Sequence, residues 1–305
     1  MTRLLSAVAA WLLIAGAGHA QALRPPITGI SHIAVYSADM AASDAFYAGK
    51  LGAHKGPDPE DAAGARYYLS ARQFVEVLPL PPGQGLSRLA HVAYVTPDAV
   101  ALRAYLAVRG LSDLSPVRTG ANGDRWFETH DPEGVAVQFV EPAAAGADPQ
   151  PGAISGRIIH FGFLVRSRAA EDRFYRDVLG FRPYWHGAMR ADATDWVSQQ
   201  VPDGTDWLEY MLVGEGSTTP LSRLDARELG VLNHFSLGVN NMEAAVTTLI
   251  VGDRLSPRHD GPNMGLDGKW QANLYDPDGT RVELMEFQPV AKPCCSDFTA
   301  ASPTH

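Results

Sequence analysis

Four side chains in the second half of this chain are of metal-binding types and recur at equal intervals. His160 and Glu209 stand 49 residues apart, and so do His234 and Glu283. Two imidazoles with two carboxylates form a borderline ligand set, suited to zinc, nickel, cobalt, manganese or iron(II), and leave positions open for water and substrate. Any one of them alone reads as a structural group; four in register read as a divalent metal site. Strand alternation supports the choice. Trp207, Glu209 and Met211 fall on one face of their segment, and Glu283 and Glu286 fall on opposite faces of theirs, so only one of those two acids enters a cleft. The first half carries a weaker set, His32, Glu76, His91 and Gln138, in which a neutral amide replaces the last carboxylate.

The elements that must position these residues are visible as an internal repeat. SHIAVYSADMAASDAFYAGKLGA, from Ser31, matches IHFGFLVRSRAAEDRFYRDVLGF, from Ile159. His32, Phe46, Tyr47, Leu51 and Gly52 recur as His160, Phe174, Tyr175, Leu179 and Gly180 with a constant offset of 128. A second pair of segments, from Leu89 and Leu232, leads to the turns DPEG (Asp131 to Gly134) and DPDG (Asp276 to Gly279), where Pro and Gly suit a tight turn. The pattern predicts an α+β fold of four βαβββ modules at about 27–80, 88–142, 157–214 and 231–288. They group into domains at 27–142 and 157–288, joined by a linker at 143–156 and followed by a polar tail at 289–305. One module leaves its curved sheet half exposed, so two should pair edge to edge in each domain and enclose a cleft.

The strand-opening histidines, FYRDVLGF at Phe174 to Phe181 and DPDGTRVELMEF at Asp276 to Phe287 resemble the vicinal oxygen chelate superfamily, which includes glyoxalase I, bleomycin resistance proteins and extradiol dioxygenases. The resemblance implies U-shaped mixed sheets around a divalent metal, with Glu283, four residues after the turn glycine, as a ligand. It also implies a small substrate that chelates the metal through vicinal oxygens, with Glu209 or Glu283 as general base. A glyoxalase-like isomerase or lyase ranks first on the His/Glu/His/Glu set. The alternative is an Fe(II) ring-cleaving dioxygenase on His160, His234 and Glu283; against it, Glu209 stands where those enzymes carry a catalytic His, and Asn273 stands where they carry a Tyr. Tyr275 is the nearest substitute for that Tyr, and His259 could restore part of the dioxygenase picture. Trp207, Tyr275 and His259 are the substrate-pocket candidates. A non-catalytic, resistance-type binding protein is the third reading.

The chain has 305 residues, 46% hydrophobic and 19% charged, with a formal net charge of −9 and no basic run, so nucleic acid is excluded as a partner. Two adjacent cysteines, Cys294 and Cys295, cannot build a zinc or disulfide framework; of a vicinal disulfide and two inert thiols, the latter is the reading adopted. Residues 1–22 show a basic start, an apolar run from Leu4 to Ala17 and small residues ending in Ala20, Gln21 and Ala22, the order of a secretory signal. The expectation is therefore an exported protein, periplasmic or secreted, off the membrane after cleavage, with self-association into a homo-oligomer left open.

Overall fold

The computed structural model describes residues 23–143, 152–220 and 233–304; residues 1–22, read above as an export signal, and linker residues 144–151 lie outside the described residues. The first half runs β1 (Gly29–Ser37), α1 (Met40–Asp44, continuing as a π-helical turn Ala45–Lys50), β2 (His54–Pro57), β3 (Ala65–Tyr68) and β4 (Phe74–Pro79). Its second module follows as β5 (Leu89–Val95), α2 (Ala99–Val108), β6 (Arg118–Thr119), β7 (Arg125–His130) and β8 (Ala136–Glu141). The second half repeats the order with β9 (Ile158–Val165), α3 (Arg168–Glu171, continuing as Asp172–Val178), β10 (Arg182–Gly187), β11 (Trp196–Gln200) and β12 (Trp207–Leu212). It ends with β13 (His234–Val239), α4 (Met242–Val251), β14 (His259–Met264), β15 (Trp270–Tyr275) and β16 (Arg281–Glu286).

The strands build two eight-stranded mixed sheets, ordered β2-β3-β4-β1-β5-β8-β7-β6 and β10-β11-β12-β9-β13-β16-β15-β14. Within a module the opening strand pairs parallel with the closing one, and the two opening strands, β1 with β5 and β9 with β13, join antiparallel. This is the edge-to-edge pairing that the repeat predicts. The helices cover the outer face. Each long helix has its first backbone N–H groups capped from two sides: by its N-cap residue, Asp98 or Asn241, and by the acid ending the last strand of its module. Glu141 accepts from Ala99 N at 2.9 Å, and Glu286 accepts from Met242 N at 2.8 Å. Glu286 is thus committed to the helix face, which leaves Glu283 for the cleft.

The repeated motifs hold the halves together. Tyr47 of the first FY pair donates to Asp276 of DPDG at 2.9 Å, and Tyr175 of the second donates to Asp131 of DPEG at 3.2 Å. Gln73 brackets the backbone of Ile158 and Ile30, and Asp206 accepts from Ile30 N. One apolar core runs through both halves, with Tyr94 of β5 packed against Phe161 and Phe181 at ring distances of 5.8 and 5.2 Å.

The C-terminal residues 289–304 lie against the second sheet. Ser302 bonds the Tyr184 hydroxyl at 2.6 Å, Trp185 donates to the Cys294 carbonyl at 3.2 Å, and Phe298 packs on Tyr184. Cys294 and Cys295 are joined as a disulfide, which corrects the reading of two inert thiols. Their adjacency in the sequence brings them within bonding reach without help from the rest of the fold.

Candidate functional site

The register of the second sheet brings the four spaced residues into one cleft. β12 pairs with β9 so that Trp207 lies beside His160 and Glu209 beside Gly162; β13 pairs with β16 so that Ser236 lies beside Glu283. His160 and His234, from antiparallel neighbours, meet Nε2 to Nε2 at 3.1 Å. Glu283 Oε2 lies 3.2 Å from His160 Nε2, an ion-pair contact, and makes no well-aligned hydrogen bond among the described residues. One ligand atom from each of His160, His234 and Glu283 lies within 4.8 Å of the others. Three buried lone-pair donors thus converge with one carboxylate oxygen unsatisfied, and a buried polar atom of that kind calls for a partner. This is the two-imidazole, one-carboxylate set that holds a divalent ion on one face and leaves the opposite positions open. Glu209 faces the same cleft with Oε2 3.7 Å from His234 Nε2, but stands outside the tight set of three.

Burial sets the charges. It raises the Glu209 carboxyl to about 8, helped by the charge of Glu283 and opposed by Arg281. For Glu283 burial also pushes upward, but the close His160 imidazole, with the Arg281 charge, outweighs it and holds the carboxyl below its ordinary value. The His160 imidazole sits below its ordinary value because burial outweighs Glu283.

Three residues that the sequence pattern did not single out shape this site. Gly162 faces His234, and a Cβ there would stand 2.0 Å from the ring, so the close approach of that imidazole requires glycine. Arg281, two residues before Glu283, places Nη2 2.8 Å from His234 Nδ1. Lys269, at the foot of β15, is fully buried among the rings of Trp207, Phe298 and Tyr184, with Nζ 4.7, 5.1 and 5.8 Å from their centroids. Gly162 and Arg281 become readable once strand register is known; Lys269 depends on the tail folding back.

A cavity of about 390 Å³ opens beside the cluster, with Tyr184, Trp207, Glu209, Arg281, Glu283 and Phe298 among its walls. Trp207 also stacks on His160 at 4.6 Å. Of the pocket candidates, Trp207 lines this cavity. Tyr275 shares the Glu283 face by register, but its hydroxyl donates to Asp260 and its ring carries the Arg258 guanidinium. His259 is placed elsewhere: it sits opposite Leu274, which pairs with Val282, so alternation turns it to the face away from Glu283.

The first half repeats the geometry with different chemistry. His32 and His91 meet at 2.8 Å and Glu76 lies 3.4 Å from His91, a second set of three. Gln138 is not in it; its amide donates to Glu60 at 2.8 Å. The cleft here holds Arg66, which occupies the register position that Ser198 fills in the second half. Arg66 lies within 3.4 Å of Asp58, 2.8 Å of Glu60 and 3.2 Å of Asp124. Burial first and the Arg66 charge second push the His91 imidazole down to about 3.

A family model described as Glyoxalase/Bleomycin resistance protein/Dioxygenase superfamily matches residues 157–284. No curated protein matches the chain. Among solved structures, catechol 2,3-dioxygenase is similar at TM-score 0.63 and 13% identity, over 92% of this chain and 94% of that one. The 2,3-dioxygenase LapB from Pseudomonas sp. KL28 gives TM-score 0.64 at 15% identity, over 89% and 99%. Homoprotocatechuate 2,3-dioxygenase from Brevibacterium fuscum, solved with 3,4-dihydroxyphenylacetate, gives 0.62 at 18%, over 86% and 81%. At these identities the likeness establishes the fold alone. The family match therefore rests on residues 157–284, the half that carries His160, His234 and Glu283.

Proposed function

We propose that the second half is a metal-dependent oxygenase of the extradiol type, cleaving an aromatic ring whose two neighbouring hydroxyls chelate the ion. The observation that carries this is the set of three: His160, His234 and Glu283 converge within 4.8 Å while Glu209 stands apart. Three ligands leave open positions for a bidentate substrate and oxygen, where a fourth would take one. This reverses the ranking reached from the four-residue set, in which isomerase chemistry came first. The metal, when bound, supplies Lewis acidity at the chelated oxygens and the redox chemistry with oxygen. This chain's residues do the rest. Glu209, whose carboxyl exchanges its proton near pH 8, takes a hydroxyl proton in its ionised form as the substrate seats, Trp207 stacks on His160 and walls the cleft, and the buried rings exclude water. Similarity to enzymes whose names state catechol and homoprotocatechuate oxidation supports the reading.

Glu209 favours a second reading. A carboxyl raised to about 8 beside a metal cluster also suits proton transfer in an isomerase or lyase. One experiment separates the two: protein loaded anaerobically with Fe(II) is mixed with catechol or 3,4-dihydroxyphenylacetate, then with oxygen. The oxygenase reading expects stoichiometric oxygen uptake and a yellow ring-opened product. Metal-dependent substrate conversion without oxygen uptake sinks it in favour of the isomerase. Glu283→Ala should lose the bound metal by elemental analysis. Export belongs to this proposal too, and the Cys294–Cys295 disulfide fits an oxidising compartment; the mature chain should begin at Leu23 by mass.

A further inference from the structure

In both halves a buried cation lies against an aromatic ring that in turn stacks on the first histidine of the cluster. In the first, Arg66 sits 4.2 Å from the Phe74 ring, which stacks on His32 at 4.4 Å. In the second, Lys269 sits 4.7 Å from the Trp207 ring, which stacks on His160 at 4.6 Å. The difference is in the counter-charges. Arg66 is matched by Asp58, Glu60 and Asp124. Lys269 is fully buried, and its Nζ has no hydrogen-bond partner among the described residues. The acids it senses at longer range are Asp267, Glu283 and Glu209. Asp267 Oδ1 already accepts from the Lys269 backbone and Gln271, Glu283 belongs to the metal cluster, and Glu209 adjoins it. A divalent ion bound at the cluster would engage Glu283 and adjoin Glu209, leaving Asp267, already shared with a backbone N–H and Gln271, as the remaining acid near Lys269. Ring faces offset only part of the cost of burying an ammonium. The first half shows how such a cation is satisfied when no ligand is meant to satisfy it.

We propose that the second cleft takes substrates bearing an acidic group, and that Lys269, buried directly behind the Tyr184, Trp207 and Phe298 walls of the cavity, is the cation that selects them. The chemical class is an aromatic carboxylate whose ring lies among Tyr184, Trp207 and Phe298. This rests on the cleft being the substrate site, and deepens that reading without depending on ring cleavage.

The test uses benzoate and benzyl alcohol, which match in shape, differ in charge and lack vicinal hydroxyls. Each is titrated into Zn(II)-loaded protein, followed by quenching of the tryptophans that line the cleft. Wild type should bind benzoate at least about tenfold more tightly than benzyl alcohol. Lys269→Met should abolish that preference while retaining one zinc per chain, and Lys269→Arg should keep it. Equal binding of the two probes by wild type overturns the proposal, as does an undiminished preference in Lys269→Met, which would assign the anion to the metal instead. Because zinc performs no oxygen chemistry, a preference for benzoate stands even where the catechol experiment fails, and its absence leaves that experiment untouched.

Discussion

The hydrogen bond from Arg281 to His234 sets a proton on the wrong nitrogen for metal binding. A guanidinium only donates, so at 2.8 Å the His234 Nδ1 accepts and the neutral ring carries its proton on Nε2, the atom aimed at the cluster. Ligation needs the other tautomer, with Nδ1–H held by an acceptor. Arg281→Gln replaces the donor by a side chain carrying an amide oxygen toward Nδ1, directly or through a bridging water, and removes a positive charge beside the cluster. Metal affinity should rise about 10- to 100-fold, measured by chelator competition. Arg281→Met removes the charge without supplying the acceptor, so the difference between the two variants isolates the tautomer. Unchanged affinity in both would refute the argument. The ligands themselves were legible because duplication printed one interval twice. Arg281 and Gly162 were not, because their roles depend on which residue faces which across strands far apart in sequence.

At the scale of elements, β3 and β11 are the same strand used for different ends. β11 places the small Ser198 beside Glu209; β3 places Arg66 beside Glu76, where it gathers Asp58, Glu60 and Asp124 around one cation. A charged residue in a strand reads from sequence as solvent-facing, whereas this one is buried by acids from the loop before β3 and the turn between β6 and β7. Replacing it exposes its worth: Arg66→Ser leaves the largely buried carboxylates of Asp58, Glu60 and Asp124 without their cation. The cost should be ~3–5 kcal/mol in urea unfolding, the usual result of removing one partner from a buried ionic cluster. Metal content of the second half should stay at wild-type level. A loss under ~1 kcal/mol would mean that water already reaches those carboxylates. Strand order and pairing followed from the repeat because βαβββ units have few ways to cover one another; the placement of the tail did not, since nothing in 289–305 has a counterpart elsewhere in the chain.

The whole molecule is a pseudo-twofold arrangement in which each half's FY motif grips the other's turn aspartate, and the exchange is not symmetric in charge. Beside Tyr175 and Asp131 the second half buries Glu171, where the first half has Ser43 in a bond with Ser37. Glu171 Oε1 accepts from Glu133 N, and Oε2 has no hydrogen-bond partner among the described residues. Burial, and then the charge of Asp131, raise the Glu171 carboxyl well above its ordinary value of 4.5. Folding therefore takes up a proton, and the stabilisation from this group is complete below about pH 4.5 and drains away as pH rises toward the folded-state value. Glu171→Gln carries a permanent amide donor in place of that proton. Its thermal midpoint should match wild type near pH 5 and exceed it by the equivalent of ~1–3 kcal/mol near pH 8, with a flatter profile between. Asp131 and Asp276 are also raised by burial, each to about 6, so some slope should remain in the variant. Parallel profiles for the two proteins would show that Glu171 is ionised in the interface and that the halves meet around water rather than around a shared proton.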